Sequence, residues 1–541
     1  MNFKVRRYRV YLPIVFALVM LLGMWAGIKL APQANDHSSM FAPSGERYNK
    51  VSDLMNYILG NYVDSVSKED LAEDAIEGIL KDLDPHSQYI SADVLSTVNE
   101  DLMGNFEGIG IQFRIESDTI TVIQTIADGP SEKVGLLAGD RIVIVDDSLI
   151  AGVGIGNEGA IKMLKGPRGT KVDIKVHRRG IKELLDFTIV RDVIPTYSVD
   201  IAYMPSDTVG YIKVSKFSAT TYEEFAVALR SLINKGMKAL VLDLRGNAGG
   251  YLQAATQMAD EFLEEDNLIV YTEGNNRPRS FAYATRKGQF ESQPLVVLIN
   301  EGSASASEII AGAVQDNDRG MIIGRRSFGK GLVQEQLSLP DGSAVRLTIA
   351  RYYTPTGRCI QRPYENGTED YYDSFYERFR NGEIQNADSI HFNDSLKYTT
   401  PGGRTVYGGG GIMPDIYVPY NAKDYPEYYN KLLDRGLIFR YAFKYTDTHR
   451  ETLNKYNGFE DYDQNFYINN SIFSDFLAYA EEMGVAKDPA GLKVSKDRIK
   501  ILMKAFIARN LFDDDGFYPI YHRIDETFLR AVQYLKGDSI Q

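Results

Sequence analysis

Between Pro294 and Gln334 the sequence PLVVLINEGSASASEIIAGAVQDNDRGMIIGRRSFGKGLVQ constrains the fold more than any other stretch. Leu295–Ile299 is an uninterrupted apolar run short enough for a buried strand. The chain then turns through Gly302 and the small residues Ser303, Ala304, Ser305, Ala306 and Ser307, and enters a helical pattern set by Ile309, Ile310, Ala313 and Val314. A second short apolar run, residues 321–323, precedes a glycine-flanked lysine in Phe328-Gly329-Lys330-Gly331. A serine on a tight strand-to-helix turn has an exposed hydroxyl, and the N–H groups of the turn can face a developing oxyanion. None of the six histidines lies in this stretch. Lys330 is the available base, provided that burial keeps its amine neutral.

Two plainer readings compete with a nucleophile. Ser305 and Glu308 match a capping box, in which the serine only caps a helix. Residues 324–330 fit the phosphate-binding loop pattern up to the lysine, but Gly331 stands where Ser or Thr should hold magnesium. Leu332-Val333 and residues 344–349 read as strand, whereas a phosphate-binding loop must open a helix. That reading fails on context.

A chain of 541 residues is too long for one core and implies several domains. The net charge of −13 gives no support for nucleic-acid binding. Cys359 is the single cysteine, so no intramolecular disulfide can form. Near the N-terminus, Lys4, Arg6, Arg7 and Arg9 precede an apolar segment, residues 12–28. Its length is at the short limit for a membrane span, and the basic flank should stay in the cytoplasm with everything after it outside. A retained anchor over residues 1–31 is the expectation, with a cleaved signal as the alternative.

Residues 32–44 read as a polar tether, and residues 45–97 as a helical region. Val51, Leu54, Met55, Ile58 and Leu59 would line one amphipathic helix; Leu71, Ala75, Ile76, Ile79, Leu80 and Leu83 would line a second, stopped by Asp84-Pro85. His86, just beyond, is the nearest alternative base. Over residues 98–190 strands alternate with short turns. Gly108-Ile109-Gly110-Ile111 opens an apolar strand, and Gly135-Leu-Leu-Ala-Gly139-Asp140 forms a turn. This segment resembles a PDZ domain, with Gly108, Ile109, Gly110 and Ile111 in place of the loop whose N–H groups hold a peptide's terminal carboxylate. From residue 191 to 420 strands alternate with helices, as in a layered α/β core. The loop Arg245-Gly-Asn-Ala-Gly249-Gly250 closes one of its strands, and its glycine pair permits close backbone approach. Residues 352–358 and 406–412 read as loops, the Tyr-rich insert 363–398 has no assignable pattern, and residues 421–541 read as a helical appendage.

The motifs LDPHS (83–87), LDLRGNAGG (242–250), GSASASEIIAGAVQDN (302–317), SFGKGLVQ (327–334), ARYYTPTGR (350–358) and GGGGIMPD (408–415) occur in one order. Together with the PDZ segment they resemble the C-terminal processing (tail-specific) serine peptidases, over roughly residues 45–420. The resemblance implies a multidomain α/β protein: a crotonase/ClpP-like protease core with an inserted PDZ domain, an N-terminal helical segment and a C-terminal helical appendage. It further implies a Ser–Lys dyad with Ser305 as nucleophile and Lys330 as general base. Gln334 would orient the lysine, and the N–H groups of Gly250 and Ala306 would form the oxyanion hole. Asp316 falls where some members carry a supporting aspartate, read here as structural. No metal or organic cofactor is expected. The expected partners are proteins with exposed, unstructured C-termini, and the membrane through the N-terminal segment; homo-oligomerisation is left open. A non-catalytic PDZ scaffold and a Ser–His hydrolase using His86 stand as alternatives.

Overall fold

The computed structural model describes residues 15–23, 49–391, 393–421 and 423–537. Met1–Asp74 and Ala75–Gln541 form two compact units, divided within the helix Lys68–Lys81. In the first, helix Lys50–Asn61 begins at Asn49, whose side chain accepts the N–H of Ser52. Its expected apolar face carries no buried residue. Of the expected apolar segment 12–28, residues 15–23 are described and helical, and the rest lies outside the described residues. Among the described residues no helix is long and apolar enough to cross a membrane.

The second unit is built on a six-stranded sheet in the order Val199–Tyr203, Val209–Val214, Ala239–Asp243, Leu295–Ile299, Met321–Gly324, Ile416–Tyr417. The first pair is antiparallel and the rest are parallel. Its central strands are buried on both faces, which explains why they read as continuous apolar runs. Alternate residues separate the two faces. Leu240, Leu242, Val297 and Ile299 pack in one cluster with the helices Thr221–Asn234, Leu252–Asp260 and Ala306–Asp316. Val241, Val296 and Leu298 pack in another with Phe528 and Ala531 of the helix Glu526–Leu535. The C-terminal region is helical, as its periodicity implied, and this helix forms a layer on the six-stranded sheet.

Beside the core sheet lies an antiparallel one. Its long strand Ala344–Tyr353 pairs with Gln88–Ile90, Leu332–Ser338 and Leu268–Gly274. Tyr352 and Tyr353 therefore finish a strand, where the sequence suggested a loop; cross-strand partners decide this, and Tyr271 stacks on Tyr353 at 4.8 Å. Similarly Thr405–Tyr407 pairs with Lys397–Thr399. The unassigned insert contains the helix Thr368–Arg380.

The PDZ segment folds as an antiparallel sheet of the strands Ile111–Ile115, Ile120–Thr125, Arg141–Val145, Lys171–His177 and Leu185–Val190, with Ser148–Leu149 on Arg141–Val145. It has its own apolar core. The C-terminal helices touch it too: Arg114 lies 4.3 Å from the ring centre of Phe443, and Asp447 pairs with Arg141 at 3.4 Å.

Candidate active site

Ser305 sits between the strand Leu295–Ile299 and the helix Ala306–Asp316. Its φ of 53° is a left-handed conformation that a residue with a side chain adopts at a cost of about 1–3 kcal/mol. Such a turn presents the serine at the helix N-terminus, where the helix dipole favours negative charge. Ser303 secures the turn from below: its hydroxyl donates to Leu244 O at 2.8 Å and accepts from Asn300 N at 3.0 Å.

Lys330 lies in the irregular segment 325–331, between Met321–Gly324 and Leu332–Ser338. No helix opens there, so the phosphate-loop reading is excluded by backbone as well. The segment is held by Glu308. One carboxylate oxygen accepts Ser327 Oγ at 2.5 Å and Gly329 N at 2.7 Å; the other accepts Lys330 N at 2.8 Å and Ser305 N at 2.9 Å. Burial pushes the Glu308 carboxyl up, and these four donors pull it back. The residue that looked like half of a capping box thus ties the serine turn to the lysine loop. Tyr352 adds a second tie, its hydroxyl lying 2.8 Å from Lys330 O and 3.1 Å from Ser305 O.

Ser305 and Lys330 line one cavity of about 630 Å3, with Gly250, Ala306 and Gln334 also on its wall. The amine of Lys330 donates to Gln334 Oε1 at 3.0 Å, and Gln334 Nε2 donates to His86 O at 2.6 Å. Burial holds the Lys330 amine below the ordinary lysine value and Arg346 adds to the shift, while Asp84 and Glu308 oppose it. The LDPHS motif is therefore a bracket for one carbonyl. Asp84 accepts the N–H groups of His86 and Ser87 at 2.8 and 2.9 Å and the hydroxyl of Thr348 at 3.1 Å. The His86 imidazole faces Tyr371, Nε2 to Oη 3.0 Å, and is not part of the cavity wall. Burial and the Lys330 charge lower its pKa to about 4.

The glycine loop reaches the serine because Gly249 and Gly250, at its end, carry no side chain. A Cβ on Gly249 would stand 2.8 Å from Ser305 Cβ, and one on Gly250 would stand 2.0 Å from Phe217 O. The N–H groups of Gly250 and Ala306 are not engaged by other described residues, which leaves both available as donors. Arg245 anchors the start of this loop, paired with Asp243 at 2.6 Å and with Asp525 at 2.7 Å.

The remaining expected residues lie elsewhere. Asp316 is absent from the cavity wall and forms a buried pair with Arg358 at 2.6 Å, which fits its structural reading. Gly108, Ile109, Gly110 and Ile111 lie in the PDZ segment. Ile109 is buried, with its carbonyl accepting Ser131 Oγ at 2.6 Å, and Gly110 has a φ of 75°. The helix Ala92–Met103 connects the two places: Asn99 and Leu102 line the cavity, and the chain continues into the strand Asn105–Gly108. Among the described residues no group of three His, Cys, Asp or Glu could hold a metal ion. Sequence reasoning missed Glu308, Tyr352 and Arg378 as organisers of the site. Arg378, from the insert, donates to Ser327 O and Arg326 O, both at 2.9 Å.

Comparison with known proteins identifies the family. Residues 208–370 match the family described as Peptidase family S41, and residues 108–189 match the PDZ domain. Residues 19–94 match the activating protease CtpB N-terminal domain, and 428–513 match a family of unknown function. The carboxy-terminal-processing protease of Bartonella bacilliformis is 38% identical over 317 residues, 58% of this chain and 72% of that protein. The carboxy-terminal processing protease CtpB of Bacillus subtilis is 35% identical over 352 residues, 63% of this chain and 72% of that one. A solved structure of a photosystem II D1 C-terminal processing protease, 25% identical, covers 68% of this chain and 86% of its own with a TM-score of 0.35. The chain belongs to peptidase family S41, as a PDZ-containing serine-type C-terminal processing peptidase.

Proposed function

We propose that the protein cleaves unstructured protein tails by a Ser–Lys dyad, with Ser305 as nucleophile and Lys330 as general base. The observation that carries this is the shared cavity: it holds a strained serine and a partly buried, Gln334-bonded lysine, and no histidine. Neutral Lys330 takes the Ser305 hydroxyl proton as Oγ attacks the scissile carbonyl. The N–H groups of Gly250 and Ala306 receive the oxyanion. The lysine ammonium then protonates the departing amine, leaving an ester on Ser305. Water attacks that ester, its proton passes to Lys330, and the new carboxylate leaves as Ser305 regains its proton. Gln334 is a positioning residue, held by the His86 carbonyl. The PDZ loop Gly108, Ile109, Gly110 and Ile111 would take the substrate's terminal carboxylate while the tail adds a strand.

Location belongs to the same proposal. Residues 12–28 anchor the protein in the inner membrane with the PDZ and protease domains in the periplasm, supported by the four basic residues before the apolar segment. Protease added to spheroplasts of a diderm host should degrade the domain beyond residue 45, and carbonate should leave the intact protein in the membrane. Protection would reverse the orientation; release would mean a cleaved signal.

The dyad is tested on the detergent-solubilised full chain with an unstructured protein substrate of apolar C-terminus. Ser305→Ala and Lys330→Ala should each abolish proteolysis with the fold intact, since removing a nucleophile or its base costs several orders of magnitude in rate. Activity retained in Lys330→Ala but lost in His86→Ala would overturn the assignment. Chelators should have no effect; activity lost to EDTA and restored by zinc would sink it.

A further inference from the structure

The catalytic cavity is lined by two ionisable cations, Lys330 and Arg346, and among the described residues by no Asp or Glu. The dyad mechanism needs Lys330 neutral, which leaves Arg346 as the one fixed charge facing a bound peptide. Arg346 makes no ion pair with a described residue; Nη2 donates only to the neutral Gln336 Oε1, at 3.2 Å. Gln336 in turn lies 3.3 Å from Asn99 Oδ1, so Asn99, Gln336 and Arg346 form one polar wall of the cavity. A half-buried guanidinium without a carboxylate partner is an unusual arrangement in a protein with more acidic than basic residues.

The wall has a defined place relative to the lysine. Gln334 and Gln336 are alternate residues of the strand Leu332–Ser338, opposite Thr348 and Arg346 in regular register, and so point to the same face. Gln334 holds the Lys330 amine. Arg346 therefore lies one alternate step along the strand, about 7 Å, which is the length of two residues of an extended peptide.

We propose that Arg346, backed by Gln336, is a substrate subsite for a carboxylate located about two residues from the scissile bond. The carboxylate comes either from an Asp or Glu side chain of the tail or from the tail's own terminus. The inference rests on the peptidase reading of the same cavity and adds to it a preference that an apolar-tail protease would lack. A guanidinium and a carboxylate in a partly dry cavity form a charge-assisted pair of higher strength than a neutral hydrogen bond.

The test uses the full chain and a short neutral peptide in which a single glutamate is moved along the sequence, against the same peptides with glutamine. One Glu position should raise kcat/KM at least about tenfold over Gln. That ratio should collapse toward one in Arg346→Gln and survive in Arg346→Lys. The same peptides with an amidated C-terminus identify the other source: the share of their loss that disappears in Arg346→Gln belongs to this subsite, because the PDZ loop is common to both proteins. Binding of the Glu and Gln peptides to Ser305→Ala, read by fluorescence anisotropy, repeats the comparison without turnover, so failure of the dyad assignment does not hide the subsite. Equal treatment of Glu and Gln at every position together with no Arg346-dependent amide effect, or a preference that persists in Arg346→Gln, overturns the proposal.

Discussion

Ser305 and Lys330 are joined through a single atom: Glu308 Oε2 accepts the backbone N–H of both, at 2.9 and 2.8 Å. The residues proposed as nucleophile and base are thus fixed to each other by main chain, independently of how their side chains turn. Glu308→Gln replaces one acceptor by a donor facing donors. It should destabilise the protein by about 2–4 kcal/mol and lower kcat, measured by urea unfolding and by turnover. Wild-type stability in this variant would mean that the carboxylate is dispensable.

Gln334 is reached by the Lys330 amine and held by a backbone carbonyl. Removing its amide frees the lysine without removing it. Gln334→Ala should lower kcat/KM by about 10- to 100-fold, mostly in kcat. His86→Ala keeps the carbonyl and should cost clearly less. The reverse ranking in steady-state kinetics would point to the imidazole as the working group.

The pH profile is set by the sign of the Lys330 shift. The competent base is the neutral amine, which dominates above its pKa, so a lowered pKa extends activity to lower pH. Burial and Arg346 lower it, Asp84 and Glu308 raise it, and His86 with its pKa of about 4 is neutral over the range of interest. The acid limb of kcat/KM should have its midpoint below the free-lysine value of about 10.4. It should move upward in Arg346→Gln, which removes a positive neighbour. A limb centred near 4 would assign the titration to His86 instead.

Gly249 has a φ of 98°, and a methyl group there would stand 2.8 Å from both Ser305 Cβ and Ala304 O. Gly249→Ala combines left-handed strain with a push on the serine. We expect a loss of activity of at least about 100-fold with a folded protein, checked by turnover and circular dichroism. Near-normal activity would mean that the loop can retreat without disturbing the oxyanion donors.

Asp525 caps the helix Glu526–Leu535 and pairs with Arg245 at the start of the glycine loop. Asp525→Ala removes a cap and a largely buried ionic partner together. A destabilisation of about 2–4 kcal/mol is expected in urea, with a fall in kcat that Asp525→Glu partly restores. Loss of stability with kcat unchanged would separate the helix from the chemistry.

What the sequence revealed depends on where the information resides. Leu295–Ile299 and Ala239–Asp243 were legible because burial on both faces leaves a continuous apolar run. Ser305 and Lys330 stood out through motif and through the absence of nearby histidine. Glu308 was visible only as a helix-capping residue, since nothing in Ser-x-x-Glu says that three further donors arrive from residues 327–330. LDPHS hid its use because the atom that matters, the His86 carbonyl, belongs to the backbone and carries no residue signature. Tyr352 read as part of a loop because its strand is defined by partners far away in sequence. Residues 421–541 read as helical, but such a pattern alone names no surface for the apolar face of Glu526–Leu535.

The helix Glu526–Leu535 covers one face of a sheet whose strands all precede it in the chain, the last ending at Tyr417. As the chain folds, Val241, Val296 and Leu298 must wait for Phe528 and Ala531 before that face is dry. The glycine loop likewise lacks Asp525 until then. A chain in which this helix has not yet docked therefore carries its proposed dyad without the layer that holds the glycine loop in working order. Contacts so distant in sequence also make folding slow, which prolongs that interval.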